Sequence, residues 1–420
     1  MGWDSWDSFG CSVDQSDVVQ VANWLVASGL RDAGYRYVII DDCWYAPTRS
    51  ASGSLRPNTS KFPNGMRWLA WYLHSHGLLF GLYASAGPST CAQLNGIYPG
   101  STGSLGHEQQ DADTFASWGV DYIKYDWCNP QGTIWQQLAE FRTMLDAIHA
   151  THRPMVFSVN PNSFHTLTGP DSNWSTVANL VRMAPDLAPV WDMGPMADWY
   201  SGVLNAILAN ARLWPRAGSR HWNDPDALVV GMHASDYAIS VGSTSFAKLV
   251  NAPPPDVDVQ LTYEDMRTNM GMWAMMAAPL IIGADVKYLG PSALSILLNQ
   301  SLIAIDQDPL GAQARPVRTD RSVWVKPLSG PASDPLPSGT AAVALLNPSN
   351  TATRIFTTTQ EVGRPPAPKY TVRDVWTGVT RTTTSAIWAL LPPHGVDIVV
   401  VTPVPKHVTT HHGSKPPSGH

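Results

Sequence analysis

The sequence predicts an α/β fold on a parallel sheet, either doubly wound or closed as a (β/α)8 barrel, followed by a small antiparallel β-sandwich. Three observations predict it. Over residues 1–312, short apolar runs alternate with longer segments of helical period. The runs are continuous rather than alternating, as strands buried on both faces are. After residue 315 the helical period vanishes, and β-rich stretches separated by Pro, Gly, Ser and Thr take over.

The chain opens on Met1-Gly2-Trp3-Asp4-Ser5-Trp6, which already reads as domain interior. The natural N-terminus, with an export signal, is therefore expected upstream. Over residues 17–27, Val18, Val21, Ala22 and Leu25 recur on one face and predict a helix; residues 109–118 and 135–149 read the same way. Apolar runs at Val38-Ile39-Ile40, 79–83, 122–125, 155–159 and 280–283 predict strands. Several end in polar residues: Asp41-Asp42, Asp126 and Asn160. In a barrel, strand C-termini build the active site. No G-x-G-x-x-G follows the first strand and no G-x-x-x-x-G-K-[ST] occurs, which argues against a nucleotide-binding sheet. Stretches 322–326, 341–346, 369–376 and 396–401 predict the sandwich strands, and 329–339, with three prolines, a surface loop. The expected units are 1–312, 316–403, and a disordered tail or linker over 404–420, which lacks core formers.

Composition narrows the function. Net charge is −6 with no basic run, so neither nucleic acid nor anionic lipid is an expected partner. No stretch reaches the roughly 18 apolar residues of a membrane span. The 18 tryptophans tilt the reading towards carbohydrate, because indole faces stack on the C–H faces of sugars, although most of them are expected to pack cores. Cys11, Cys43, Cys91 and Cys128 show no C-x-x-C spacing, which speaks against zinc or thioredoxin chemistry. Their even number fits two disulfides or four buried thiols. Oligomeric state has no signature in the sequence.

Carboxylates at strand ends dominate the candidate chemistry: Asp41-Asp42, Asp126, Asp186 four residues after Arg182, and Asp224 with Asp226 around Pro225. Splitting a glycosidic bond needs a proton donor for the acetal oxygen and a carboxylate below the anomeric carbon; two carboxyls suffice, without metal or cofactor. A strand-end Asp also caps helices, and Arg182 with Asp186 fits an i,i+4 ion pair, though Pro185 works against a regular helix there. Lys124 shares a strand face with Asp126 and is expected to lower its pKa. The histidines lack ligand spacing such as H-E-x-x-H, and G-x-S-x-G is absent.

These motifs resemble glycoside hydrolase family 27, the α-galactosidase/melibiase family. The matching segments are MGWDSWDSFGC at 1–11, YRYVIIDDCW at 35–44, GLLFGLYASAGPSTC at 77–91, DADTFASWGVDYIKYDWC at 111–128, HWNDPDALVVG at 221–231, WAMMAAPLIIGADV at 273–286 and AIDQDPLGAQA at 304–314. The resemblance implies a (β/α)8 TIM barrel followed by a C-terminal antiparallel β-sandwich. It implies a retaining exo-glycosidase acting on α-galactoside oligosaccharides or polysaccharides, secreted or otherwise extracytoplasmic. Asp126 takes the nucleophile position and Asp186 the acid/base position. Trp6, Asp41, Asp42, Tyr83, Cys91, Lys124, Arg182 and Asp226 match sugar-contacting positions, and Asn160 lies in the loop that faces the C2 substituent. The cysteines pair as Cys11 with Cys43 and Cys91 with Cys128.

Three departures bear on the sugar. Phe157-Ser158-Val159-Asn160-Pro161-Asn162 replaces the C-E-W, C-N-W or C-S-W-P-A of relatives, Ala227 stands where Met is common, and Trp127 where a small or polar residue is common. The alternatives are therefore a β-L-arabinopyranosidase, an α-N-acetylgalactosaminidase or an isomaltose-releasing dextranase. A non-catalytic sugar-binding protein is the reading of a different class.

Overall fold

A computed structural model describes residues 1–129, 132–162, 169, 172–194, 200–242 and 261–404. Eight parallel strands form the first sheet: β1 (Gly2–Asp4), β2 (Tyr37–Ile40), β3 (Leu79–Ala86), β4 (Tyr122–Trp127), β5 (Val156–Asn160), β6 (Leu180–Arg182), β7 (Trp222–Asp224) and β8 (Ile281–Ile282). They are ordered β8-β1-β2-β3-β4-β5-β6-β7. The ring closes where Leu228, just past β7, bridges in parallel to Ile282. This is the (β/α)8 barrel. Because every strand runs the same way, Asp4, Asn160, Arg182 and Asp224, which end their strands, and Asp126, one residue before the end of β4, share one rim.

Local sequence explains the wrapping helices. Helix α1 (Gln15–Ala27) buries Val18, Val21, Ala22 and Leu25, the face its period predicts. Asp14 and Asp17 cap it reciprocally: Asp17 N–H donates to Asp14 Oδ1 at 3.0 Å and Asp14 N–H to Asp17 Oδ2 at 3.1 Å. Helices α2 (Gly65–Ser75), α3 (Glu108–Trp118) and α4 (Ile134–Ala150) follow β2, β3 and β4.

The second unit is an antiparallel sandwich. Its larger sheet contains β9 (Arg315–Pro316), β10 (Val323–Pro327), β11 (Ala341–Leu346), β13 (Lys369–Asp374), β14 (Thr380–Thr383) and β16 (Val396–Val404); β12 (Thr353–Thr358) pairs with β15 (Ala386–Leu391) opposite. All six residues of β11 are buried, and their alternation shows why. Ala341, Val343 and Leu345 face the sandwich core. Ala342, Ala344 and Leu346 join the barrel core instead, so one strand serves two cores. Helix α5 (Tyr263–Met276) lies at this junction and is buried on nearly every side from Thr268 onward. The His394 ring joins the units: it pairs with Asp265 at 2.7 Å and stacks on Trp191 at 4.3 Å. The expected tail, from residue 405 on, lies outside the described residues; residue 404 belongs to β16.

Candidate active site

The rim gathers two groups of carboxylates, each around one cation. The first stands on β1, β2 and β4. Asp126 is 8% exposed, and among the described residues its Oδ1 is buried with no hydrogen-bond partner. Lys124, two residues earlier, shares its strand face, but its ammonium lies closest to Asp41, with Oδ2 at 2.5 Å, and stands 3.8 Å from Asp4. The expected lowering of the Asp126 pKa by Lys124 is present, but burial outweighs it. Burial pushes the Asp126 carboxyl up to about 7; Lys124 pulls it down as its charge requires, but Asp41 and Asp186 push it up again. The Lys124 ammonium is itself held well above its usual pKa: burial works against the charge, and Asp4, Asp41 and Asp126 outweigh burial.

Asp41 and Asp42 follow β2 and are both buried. They point to different partners. Asp41 Oδ1 accepts the Asp42 N–H at 2.6 Å, and its Oδ2 meets Lys124. Asp42 accepts the Cys43 N–H at 2.7 Å and the Ala92 N–H at 2.9 Å, tying β2 to the loop after β3. Burial raises the Asp42 carboxyl to about 7.

The loops beside Asp126 are fixed by a disulfide. Cys91 pairs with Cys128, and Cys11 with Cys43, as the resemblance implied. The sulfurs of Cys91 and Cys128 and a carboxylate oxygen of Asp126 all lie within 4.8 Å of one another. Being bonded to each other, these sulfurs are not thiolate ligands. Tyr83 braces the bridge from β3: its hydroxyl donates to Cys128 Sγ and accepts the Cys91 N–H, both at 3.4 Å. Tyr83 thus stands behind the bridge, 1% exposed.

The second group stands on β6 and β7. Arg182 is 4% exposed and ends β6, and its Nη2 reaches Asp186 Oδ1 and Asp226 Oδ2, both at 2.9 Å. The i,i+4 ion pair is present, but on extended chain: Asp186–Leu187 pairs with Tyr200–Ser201 as two short strands. The Asp186 side chain is 48% exposed. Asp226 Oδ2 also accepts the Leu187 N–H at 2.7 Å, and its carbonyl accepts the Trp273 indole N–H at 2.7 Å. These contacts hold Asp226 at φ 89°, a left-handed conformation that costs a non-glycine residue about 1–3 kcal/mol. Burial raises the Asp226 carboxyl, and Arg182 opposes that rise.

Between the groups lies an open cavity lined by Asp4, Asp7, Lys124, Asn160, Arg182, Asp224 and Asp226 with Ile39, Tyr122, Ser158, Ala227 and Ile281. Asn160 neighbours Asp126 in register, and its Oδ1 accepts the Asn162 N–H at 3.1 Å. Trp6 is half-buried, its N–H donating to Asp4 Oδ1 at 2.9 Å. Of the two substitutions expected to reshape the pocket, Ala227 lines the cavity. Trp127 turns away, 4% exposed and edge-on to Phe141.

Asp4 and Asp7 were missed by sequence reasoning. The strand-end rule that found Asp126 applies equally to Asp4, but Gly2-Trp3-Asp4 is too short and too polar to read as a strand. Asp7 follows in the turn after β1, where no periodicity points.

Comparison with known proteins agrees with this fold. Residues 1–253 and 256–308 match the family model described as Alpha galactosidase A, and residues 318–401 the model described as Alpha galactosidase C-terminal beta sandwich domain. Alpha-galactosidase A of Cellvibrio japonicus is 34% identical, covering 96% of this chain and 91% of that protein. Alpha-N-acetylgalactosaminidase of Gallus gallus is 33% identical over 90% of this chain and 86% of its own length. The crystal structure of the Saccharomyces cerevisiae α-galactosidase with raffinose superposes with a TM-score of 0.79 at 28% identity, covering 96% of this chain and 97% of that one.

Proposed function

The chain belongs to the alpha-galactosidase A family, and we propose that it is a retaining exo-glycosidase that removes terminal α-D-galactosyl residues through a covalent glycosyl-enzyme. The observation that carries this reading is the buried Asp126 carboxyl, its Oδ1 without a hydrogen-bond partner, close enough to Asp186 to feel its charge, while Arg182 holds Asp186 in reach of solvent. In the first step Asp126 attacks the anomeric carbon while Asp186 protonates the departing oxygen. In the second, Asp186 takes a proton from water, which attacks the same carbon and frees Asp126. Positive charge on the ring develops beside the ionised Asp126, which stabilises it, while Asp186 gives up its proton to the departing oxygen. Asp41, Asp42, Lys124, Arg182, Asp226, Asn160 and Trp6 bind the sugar, and the Cys91–Cys128 bridge with Tyr83 walls the site. Residues 1–312 are the catalytic unit. Two disulfides support an oxidising, extracytoplasmic location; among the described residues no helix is long and apolar enough to cross a membrane.

A shifted sugar specificity is the second reading. Ala227 on the cavity wall and the unusual 157–162 loop favour it, and near-equal identity to an α-galactosidase and an α-N-acetylgalactosaminidase does not separate the two. A panel of aryl α-galactoside, α-N-acetylgalactosaminide, β-L-arabinopyranoside and α-glucoside, with a dextran digest, decides. Fastest turnover of the α-galactoside is expected; a preference for any other member overturns the galactose assignment while leaving the carboxylate pair standing.

A further inference from the structure

The sandwich has no part in the two steps above, yet it reaches the chain segment that carries Asp186. Asp186–Leu187 pairs with Tyr200–Ser201, two residues against two. The pairing continues past them. The Ala188 N–H donates to the Ser201 carbonyl at 2.9 Å, the Val203 N–H to the Val190 carbonyl at 3.0 Å, and the Leu204 N–H to the Trp191 carbonyl at 2.9 Å. Residues 186–191 and 200–204 therefore run as one ribbon into the helix Val203–Asn210. A two-stranded ribbon is marginal by itself and needs packing against other elements. One end is held inside the site, where the Leu187 N–H donates to Asp226 Oδ2 at 2.7 Å. The other end is Trp191, 3% exposed. Its ring lies flat on His394, in the turn between β15 and β16, with centroids 4.3 Å and planes 10° apart.

His394 is itself held on several sides. Its Nδ1 pairs with Asp265 Oδ1 and its Nε2 with Asn350 Oδ1, both at 2.7 Å. Its carbonyl accepts the Thr268 hydroxyl at 2.6 Å. Asp265 is fixed in turn as a capping residue of α5, its Oδ2 accepting the Thr262 N–H at 2.7 Å. The ring on Trp191 cannot swing without breaking contacts to α5 and to the sandwich. We infer that His394 is a positioning residue for the proton donor: stacked on Trp191 and tied to Asp265, it pins the far end of the ribbon that carries Asp186. The inference rests on the proposed role of Asp186. That carboxyl needs such a hold. It is half in solvent, so packing around the side chain does not fix it, and Arg182 grips one oxygen. A catalytic group displaced by about 1 Å can lose about 10²-fold in rate, so the backbone beneath Asp186 must be steady.

His394 makes two kinds of contact, and two variants separate them. His394→Asn keeps an amide N–H near the place of Nδ1 and suits the left-handed φ of 60° here, but removes the ring on Trp191. His394→Phe keeps a ring and leaves buried Asp265 Oδ1 without its partner. kcat/KM is measured on a disaccharide and on an activated aryl glycoside of whichever sugar the wild type releases. The ratio of the two does not depend on how much of the enzyme is folded. His394→Asn should lose about tenfold on the disaccharide and less than about twofold on the aryl substrate, as a weakened general acid does. Trp191→Leu, which removes the other face of the stack, should show the same pattern, and joining it to His394→Asn should add little. His394→Phe should melt below wild type yet recover the disaccharide rate to within about threefold. Equal losses on both substrates, no loss in either stack variant, or His394→Phe as impaired as His394→Asn would leave His394 a structural tie alone and overturn the inference. Asp186→Asn is the reference. If it too loses equally on both substrates, the proton-donor role of Asp186 fails first, and the inference falls with it for that separate reason.

Discussion

On one wall of the site, Lys124 sits among Asp4, Asp41 and Asp126, each less than a tenth exposed; on the other, Arg182 sits among Asp186, Asp224 and Asp226, and the Asp186 side chain is half in solvent. Arg182 is buried and Lys124 half-buried, and both are held charged by more carboxylates than they can neutralise. The walls differ in access to water. A nucleophile benefits from isolation, because an unsolvated oxygen has no hydration to shed before it attacks. A proton donor that must later activate water benefits from contact with it. The same two residue types, arranged at different depths, thus support different tasks.

Removing the carboxylate from each wall should expose the difference. Asp126→Asn is expected to lower turnover by at least about a thousandfold on every substrate, good leaving group or poor. It should also stabilise the fold. The wild-type carboxyl is raised to about 7 by burial, so the folded state holds a proton that the unfolded chain has lost above about pH 4. The stability this costs grows as pH rises towards 7, and the Asn variant escapes it, gaining roughly 1–4 kcal/mol at neutral pH in thermal or urea unfolding. An Asn variant no more stable than wild type would mean that Asp126 is ionised in the resting enzyme.

Asp186→Asn should behave otherwise. Its side chain is half exposed, so melting should change little. Loss of general-acid help should cost about 10²–10⁴ on sugar leaving groups and far less on an activated aryl galactoside. Equal losses on both would contradict its role as proton donor.

The two disulfides give a smaller comparison. They close loops of similar length, with sequence separations of 32 and 37, so their chain-entropy contributions differ by only about 0.1 kcal/mol. Replacing either pair with serines should cost about 2–5 kcal/mol of stability. Loss of Cys91–Cys128, beside Asp126, should also reduce kcat in protein that remains folded, and loss of Cys11–Cys43 should do so less. Equal kinetic effects would remove the positional role assigned to the bridge.

How much of this was legible depended on local signal. Strands buried on both faces, such as Tyr37–Ile40 and Tyr122–Trp127, announce themselves as continuous apolar runs, and helix Gln15–Ala27 by its period. Strands of two or three residues, such as Gly2–Asp4 and Trp222–Asp224, carry too few side chains to show a pattern; neighbours in the ring impose them. Thr353–Thr358 and Thr380–Thr383 are threonine-rich and part exposed, so they are not among the strands read from the sequence. Lys326, at the end of the stretch 322–326 read as a strand, is fully buried, its ammonium donating to the Ala274 carbonyl at 2.9 Å where the two units meet. In the site, the order of the carboxylates along the chain was legible. The partner of Lys124 was not, because which of several nearby carboxylates an ammonium meets depends on cross-strand positions that spacing along one strand does not encode.

The most direct test of the central claim is to trap the intermediate. Incubation with a fluorinated galactosyl fluoride, which forms the glycosyl-enzyme faster than it breaks down, followed by proteolysis and mass spectrometry, should place one galactosyl label on the peptide carrying Asp126, and Asp126→Asn should take up none. A label on another carboxylate, or turnover of an α-galactoside to the β-anomer as first product, would contradict the account.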